Sequence, residues 1–117
     1  MSAEWAATHL PADALTLEPD GFSVLRAFDV RRASTILEDP TLTDLGQLDE
    51  IAGANATRPV YLVVTHNDLA KTEAFHGYPP SFGTGYHDRI VATGRFTTEF
   101  RNGTGGVYRL LPRTAAP

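Results

Sequence analysis

Three of the four histidines in this 117-residue chain fall within one stretch, Val63 to Asp88, which reads VVTHNDLAKTEAFHGYPPSFGTGYHD. His66, His76 and His87 are accompanied there by Asp68, Glu73 and Asp88. Imidazoles beside carboxylates are the raw material of a divalent-metal site or of a general acid–base pair. The gaps between these histidines are ten and eleven residues, which match no compact ligand pattern such as His-Glu-x-x-His. The spacing therefore favours surface or loop-packing histidines, and neither a metal nor a cofactor is expected. Nucleophilic catalysis needs a nucleophile with a base beside it. Ser81 stands in Pro-Pro-Ser-Phe-Gly rather than in a Gly-x-Ser-x-Gly elbow, and the chain contains no cysteine. No residue is assigned a catalytic role.

A binding role is easier to place. Thr65, His66, Asn67 and Asp68 directly follow the strongest strand signal in the chain, where open α/β sheets hold their ligands. The same residues are also good chemistry for leaving a strand, because Asn and Asp side chains satisfy turn amides. Phe75, Tyr78 and Phe82 surround Pro79-Pro80. Aromatics on such a loop either stack on sugar rings or pin the loop to the core. The expected division is Phe75 and Phe82 as buried pins, with His76 and Tyr78 presented outward. The candidate binding set is thus Thr65, His66, Asn67, Asp68, His76, Tyr78 and His87. Gly83–Gly85 ahead of a helix offers amides to a phosphate, but it lacks the nucleotide-binding glycine patterns and reads as a hinge and cap.

The elements that must position these residues alternate. Ser2 caps a first helix carrying Trp5, Ala6, His9 and Leu10 on one face, and Pro11 ends it. A short strand over ALTLEP leads to the turn Pro19-Asp20-Gly21, and Phe22, Leu25 and Phe28 then fall at helical spacing. A strand over ASTILED stops at Pro40. Thr43 or Asp44 caps the next helix, Asp44 with Gln47 resembling a capping box; Leu45, Leu48, Ile51 and Ala52 form its apolar stripe, and Gly53 and Asn55 suit its end. Pro59 to Val64 is an unbroken apolar run, the mark of a parallel strand buried on both faces. After a long connection without regular structure, residues 65–85, a helix runs to Gly94 with Ile90 and Val91 inward. A final hairpin turns at Asn102-Gly103, with Phe96, Thr98 and Phe100 sharing one face.

The order predicts one α/β domain over residues 1–112 with a flexible tail, 113–117. Its expected form is a three-layer Rossmann-like sandwich, with a mainly parallel sheet and a C-terminal antiparallel hairpin at its edge. Hydrophobic content of 42% supports a packed interior. Net charge is -4 and no basic stripe is visible, which argues against a nucleic-acid partner. No apolar run approaches the roughly 18 residues of a membrane span, and no cleavable leader is expected. Arginine supplies every basic residue except Lys71, a bias expected of high-GC bacterial coding. The sequons Asn55-Ala56-Thr57 and Asn102-Gly103-Thr104 read as coincidental in such a chain.

One resemblance covers nearly the whole chain, from about Glu4 to Leu111. AEWAATHLPADALTLEPDGFSVLRAF resembles a pattern that follows the last membrane helix of many bacterial polytopic glycosyltransferases of the GT-C superfamily. That pattern has a helix with an early Trp, then Leu-Pro, a strand, a loop and a helix. FTTEFRNGTGGVYRLL resembles their usual close, a hairpin with an Asn-Gly turn and a final Tyr-Arg-hydrophobic strand, here Asn102, Gly103, Tyr108, Arg109 and Leu110. The resemblance implies a soluble, non-catalytic extracytoplasmic domain at the cell membrane. Its partners would be the membrane-embedded domain of the same polypeptide and a cell-envelope glycan. The parent would use a polyprenyl-phosphate sugar donor and carry its catalytic acid elsewhere. The histidine-bearing connection 65–85 departs from the family pattern and implies an actinobacterial subgroup. Two other functions fit the residues: a free-standing small α/β enzyme or ligand-binding protein using the loop after the central strand, located in the cytoplasm, and a protein-interaction module.

Overall fold

A computed structural model of the chain describes residues 5, 8–11, 13–18, 34–36, 42–55, 58–65, 69–70, 73–74, 77–78, 85–102 and 105–111. It is an α/β fold built on five strands: β1 (Leu15–Glu18), β2 (Ser34–Ile36), β3 (Val60–Val64), β4 (Phe96–Asn102) and β5 (Gly105–Leu110). Among the described residues two helices accompany them, α1 (Gly46–Ala54) and α2 (Tyr86–Ala92). The expected helix around Phe22–Phe28 lies outside the described residues.

The strand order is β2-β1-β3-β5-β4, which places β3 at the centre. β1 runs parallel to β2 and to β3, whereas β5 runs antiparallel to β3 and to β4. The sheet is therefore evenly mixed, which corrects the expectation of a mainly parallel one. The reason is where the hairpin docks. Its second strand, β5, inserts against β3, so the central strand has one parallel and one antiparallel neighbour. Burial on both faces demands apolar residues whichever way the neighbours run, and Val60, Leu62, Val63 and Val64 are all buried.

Alternation along β3 divides the interior in two. Val60, Leu62 and Val64 point to the face covered by α1 and α2, where they meet Leu17, Leu48, Ala52, Ile90, Tyr108 and Leu110. Val63 points to the other face, where it meets Leu10 and Val107, with Trp5, Tyr61 and Phe100 packed against them. Trp5 stacks on Phe100 at 5.1 Å and on His9 at 4.4 Å. His9 Nδ1 and Thr8 Oγ1 both lie within hydrogen-bond distance of the Trp5 carbonyl, which completes this helical opening turn.

Phe100 reaches that second face only through an irregularity in β4. Thr98 pairs with Tyr108 and Phe100 pairs with Val107, so Glu99 is an extra residue, a bulge. Phe96 packs on the helix side and Phe100 on the opposite side, against the expectation that they share a face. The same step turns Arg101 toward the side of Tyr108. Asn102 pairs with Gly105, so the hairpin reverses one residue later than the Asn-Gly signal places it.

Helix ends follow local chemistry. The Asp44 carboxylate accepts from the Gly46 amide at 2.9 Å at the start of α1. The Asn55 amide and side-chain nitrogen both donate to the Ile51 carbonyl at its end, while Gly53 lies inside the helix. Gly94 closes α2 at φ 68°, a left-handed conformation suited to glycine. Ile90 is buried as expected, but Val91 is 54% exposed, because the inward stripe of α2 runs through Tyr86 and Ile90. Arg95, just before β4, forms an ion pair with Asp49 of α1.

Candidate functional site

Of the seven candidate binding residues, Thr65, Tyr78 and His87 are among the described residues; His66, Asn67, Asp68 and His76 lie outside them. Thr65 directly follows β3 and is buried. Its carbonyl accepts the Leu69 amide at 3.2 Å, and Leu69 is itself buried in the larger cluster. The connection 65–85 therefore contains helical residues and a core anchor that its polar composition concealed. Tyr78 is half-buried and packs on the same cluster. Where outward presentation was expected, its ring is partly exposed and partly packed on the core. Phe75 and Phe82 lie outside the described residues.

His87, on the first turn of α2, meets Tyr108 of β5. Its Nδ1 lies 2.9 Å from the Tyr108 hydroxyl, and the rings are 5.7 Å apart. Burial pushes the Tyr108 phenol above its ordinary value, and Arg101 pulls it partly back. The His87 ring and the Tyr108 hydroxyl thus share one hydrogen bond that ties α2 to β5. Tyr108 lies close over its own strand: a Cβ built on Gly106 would stand 2.7 Å from the Tyr108 hydroxyl. Because Gly106 pairs with Val64, the His87–Tyr108 pair sits at the same edge of the sheet as Thr65.

A different set of residues lines a cleft at the opposite edge. It has a volume of about 300 Å³ and is walled by the end of α1 (Ala52, Asn55), the approach to β3 (Arg58, Pro59) and the end of β5 (Arg109, Leu110). Arg58 donates its Nε hydrogen to the Asp13 carbonyl, and Arg109 faces Tyr61 across the β3–β5 ladder. The sequence pattern offered little warning of this site. Its charges come from residues that only the sheet register brings together.

Among the described residues no group of three or more His, Asp or Glu side chains is arranged to hold a metal ion. No helix among them is long and apolar enough to cross a membrane. No family model matches the chain, and neither the curated proteins nor the solved structures contain a match.

Proposed function

We propose that this chain is a non-catalytic accessory domain of a bacterial GT-C-type membrane glycosyltransferase, facing the extracytoplasmic side and seated on the membrane-embedded part of the same polypeptide. The observation that carries the reading is that the two segments bearing the resemblance meet in the fold. Trp5, from the opening segment, stacks on Phe100 of the closing hairpin, and Tyr108, Arg109 and Leu110 lie on the strand beside β3. A domain whose two ends are locked together in this way is a self-contained unit that can be appended to a membrane protein. A three-layer Rossmann-like arrangement belongs to the same reading, and apolar clusters on both faces of the sheet support it. Glycan contact, in this proposal, falls at the edge that carries Thr65 and the connection after it.

The test is a fractionation. Antibodies raised against the 117-residue chain are applied to native cells separated into soluble and membrane fractions. The expected result is a carbonate-resistant membrane band much larger than the chain, cleaved by protease added to spheroplasts. A soluble band no larger than the chain itself overturns the proposal.

A further inference from the structure

We infer that the cleft between Arg58 and Arg109 binds a small oxyanion, a phosphate monoester or carboxylate carried on a compact apolar or ring-shaped body. The charge argument comes first. The chain is net negative at -4, yet among the described residues the walls of this cleft contain two arginines and no acidic residue. The carboxyl end of α1 points a partial negative charge of about half a unit toward the cleft, which two guanidinium charges outweigh. One of the two guanidiniums is held in place. Arg58 is tied through Nε to the Asp13 carbonyl, which leaves its two terminal nitrogens as a fork. Arg109 projects from the rigid β5 strand opposite Tyr61. Pro11 and Pro59, also in the wall, carry no amide hydrogen, and the strongest donors to an anion there are the guanidiniums.

The rest of the wall sets the body of the ligand. Val60, Leu110 and Leu111 are apolar, and Leu111 is 40% exposed, an uncovered hydrophobic at the rim. Tyr61 adds a half-buried ring. The volume lies at the low end of the roughly 300–1,000 Å³ typical of small-molecule sites, which suits one ring or a short chain beside the anionic group. This inference does not depend on the glycosyltransferase reading, since the cleft lies at the sheet edge opposite Thr65.

The test is an amide chemical-shift titration of the chain with phenyl phosphate and with inorganic phosphate. Saturable shifts centred on Asn55, Arg58, Tyr61, Arg109 and Leu110 are expected, with phenyl phosphate bound more tightly because its ring covers Leu111. Arg109→Gln should weaken binding by about tenfold or more, and Arg109→Lys should recover part of it. Arg109 is exposed, so neither change should unfold the chain; Arg58→Gln serves as the second variant, with its melt recorded alongside. Co-sedimentation with anionic phospholipid vesicles separates a headgroup from a soluble ligand. Loss of vesicle binding in Arg109→Gln supports the site with a lipid phosphate as source. Phosphate binding without vesicle binding supports it with a soluble one. Absence of saturable shifts with both probes, or shifts unchanged by Arg109→Gln, overturns the inference.

Discussion

Gly106→Ala tests the packing that joins the hairpin to the helices. The β carbon of the new alanine would stand 2.7 Å from the Tyr108 hydroxyl, 2.9 Å from its Cε2 and 2.9 Å from the Phe100 carbonyl. Real β carbons do not approach so closely, so something must move. The tyrosine ring cannot swing away easily, because it is 1% exposed and its hydroxyl meets His87 Nδ1. Overpacking of this kind costs about 1–3 kcal/mol. Displacing the hydroxyl from His87 adds about 1 kcal/mol. Against this, replacing a strand glycine with alanine restricts the unfolded chain and returns about 0.5–1 kcal/mol. The net loss is about 1–3 kcal/mol, a fall in Tm of roughly 4–15 °C for a domain of this size. Thermal and urea melts followed by far-ultraviolet circular dichroism measure it. The argument also makes a coupling claim. In a Tyr108→Ala background two of the three close contacts vanish, so the cost of Gly106→Ala should shrink. Gly106→Ala stability equal to or above that of the parent, or an undiminished cost in the Tyr108→Ala background, would refute the reasoning.

Three further outcomes follow from the same structure. Leu62 has no exposed surface at the centre of the sheet, so Leu62→Ala should cost about 2–5 kcal/mol in a urea melt, and a loss below about 1 kcal/mol would make β3 peripheral. Gly53 lies inside α1 with nothing within 4 Å of an added β carbon, so Gly53→Ala should stabilise by about 0.5–1 kcal/mol, which a rise in the urea midpoint would register. The raised phenol of Tyr108 makes the folded state the tighter proton binder. Its contribution is complete below about pH 10 and is lost as pH climbs through the folded value. Melts at about pH 8 and about pH 11 should differ less in Tyr108→Phe than in the parent.

The parts of the fold legible in the sequence are those where one residue type answers one physical demand. The Pro59–Val64 run announces a strand without polar faces, and that strand is the centre of the sheet. Leu48 and Ala52 sit one helical turn apart, and both are buried from α1. The misreadings arise where the sequence carries no local mark. Thr97-Thr98-Glu99-Phe100 is as good a straight strand as a bulged one, yet the extra residue sends Phe100 to meet Trp5. Pairing direction was hidden in the same way. An apolar strand buried on both faces looks identical beside a parallel or an antiparallel neighbour, and only the docking of β5 against β3 decides it.

The site was harder to read for a related reason. Clustered histidines draw attention because they are close in sequence, but His87 finds its partner on β5, in a strand far along the chain. Arg58 and Arg109 are more distant still, and they share a cleft only because the start of β3 lies beside the end of β5. That juxtaposition is a matter of register. Tyr108 and Leu110 are buried on the helix side of β5, and the alternation between them turns Arg109 to the other side. Slipping β5 by one residue would drive Arg109 into the apolar cluster and expose Leu110, which desolvation of the guanidinium forbids. The same core contacts that hold the hairpin against β3 therefore also fix the cationic wall of the cleft.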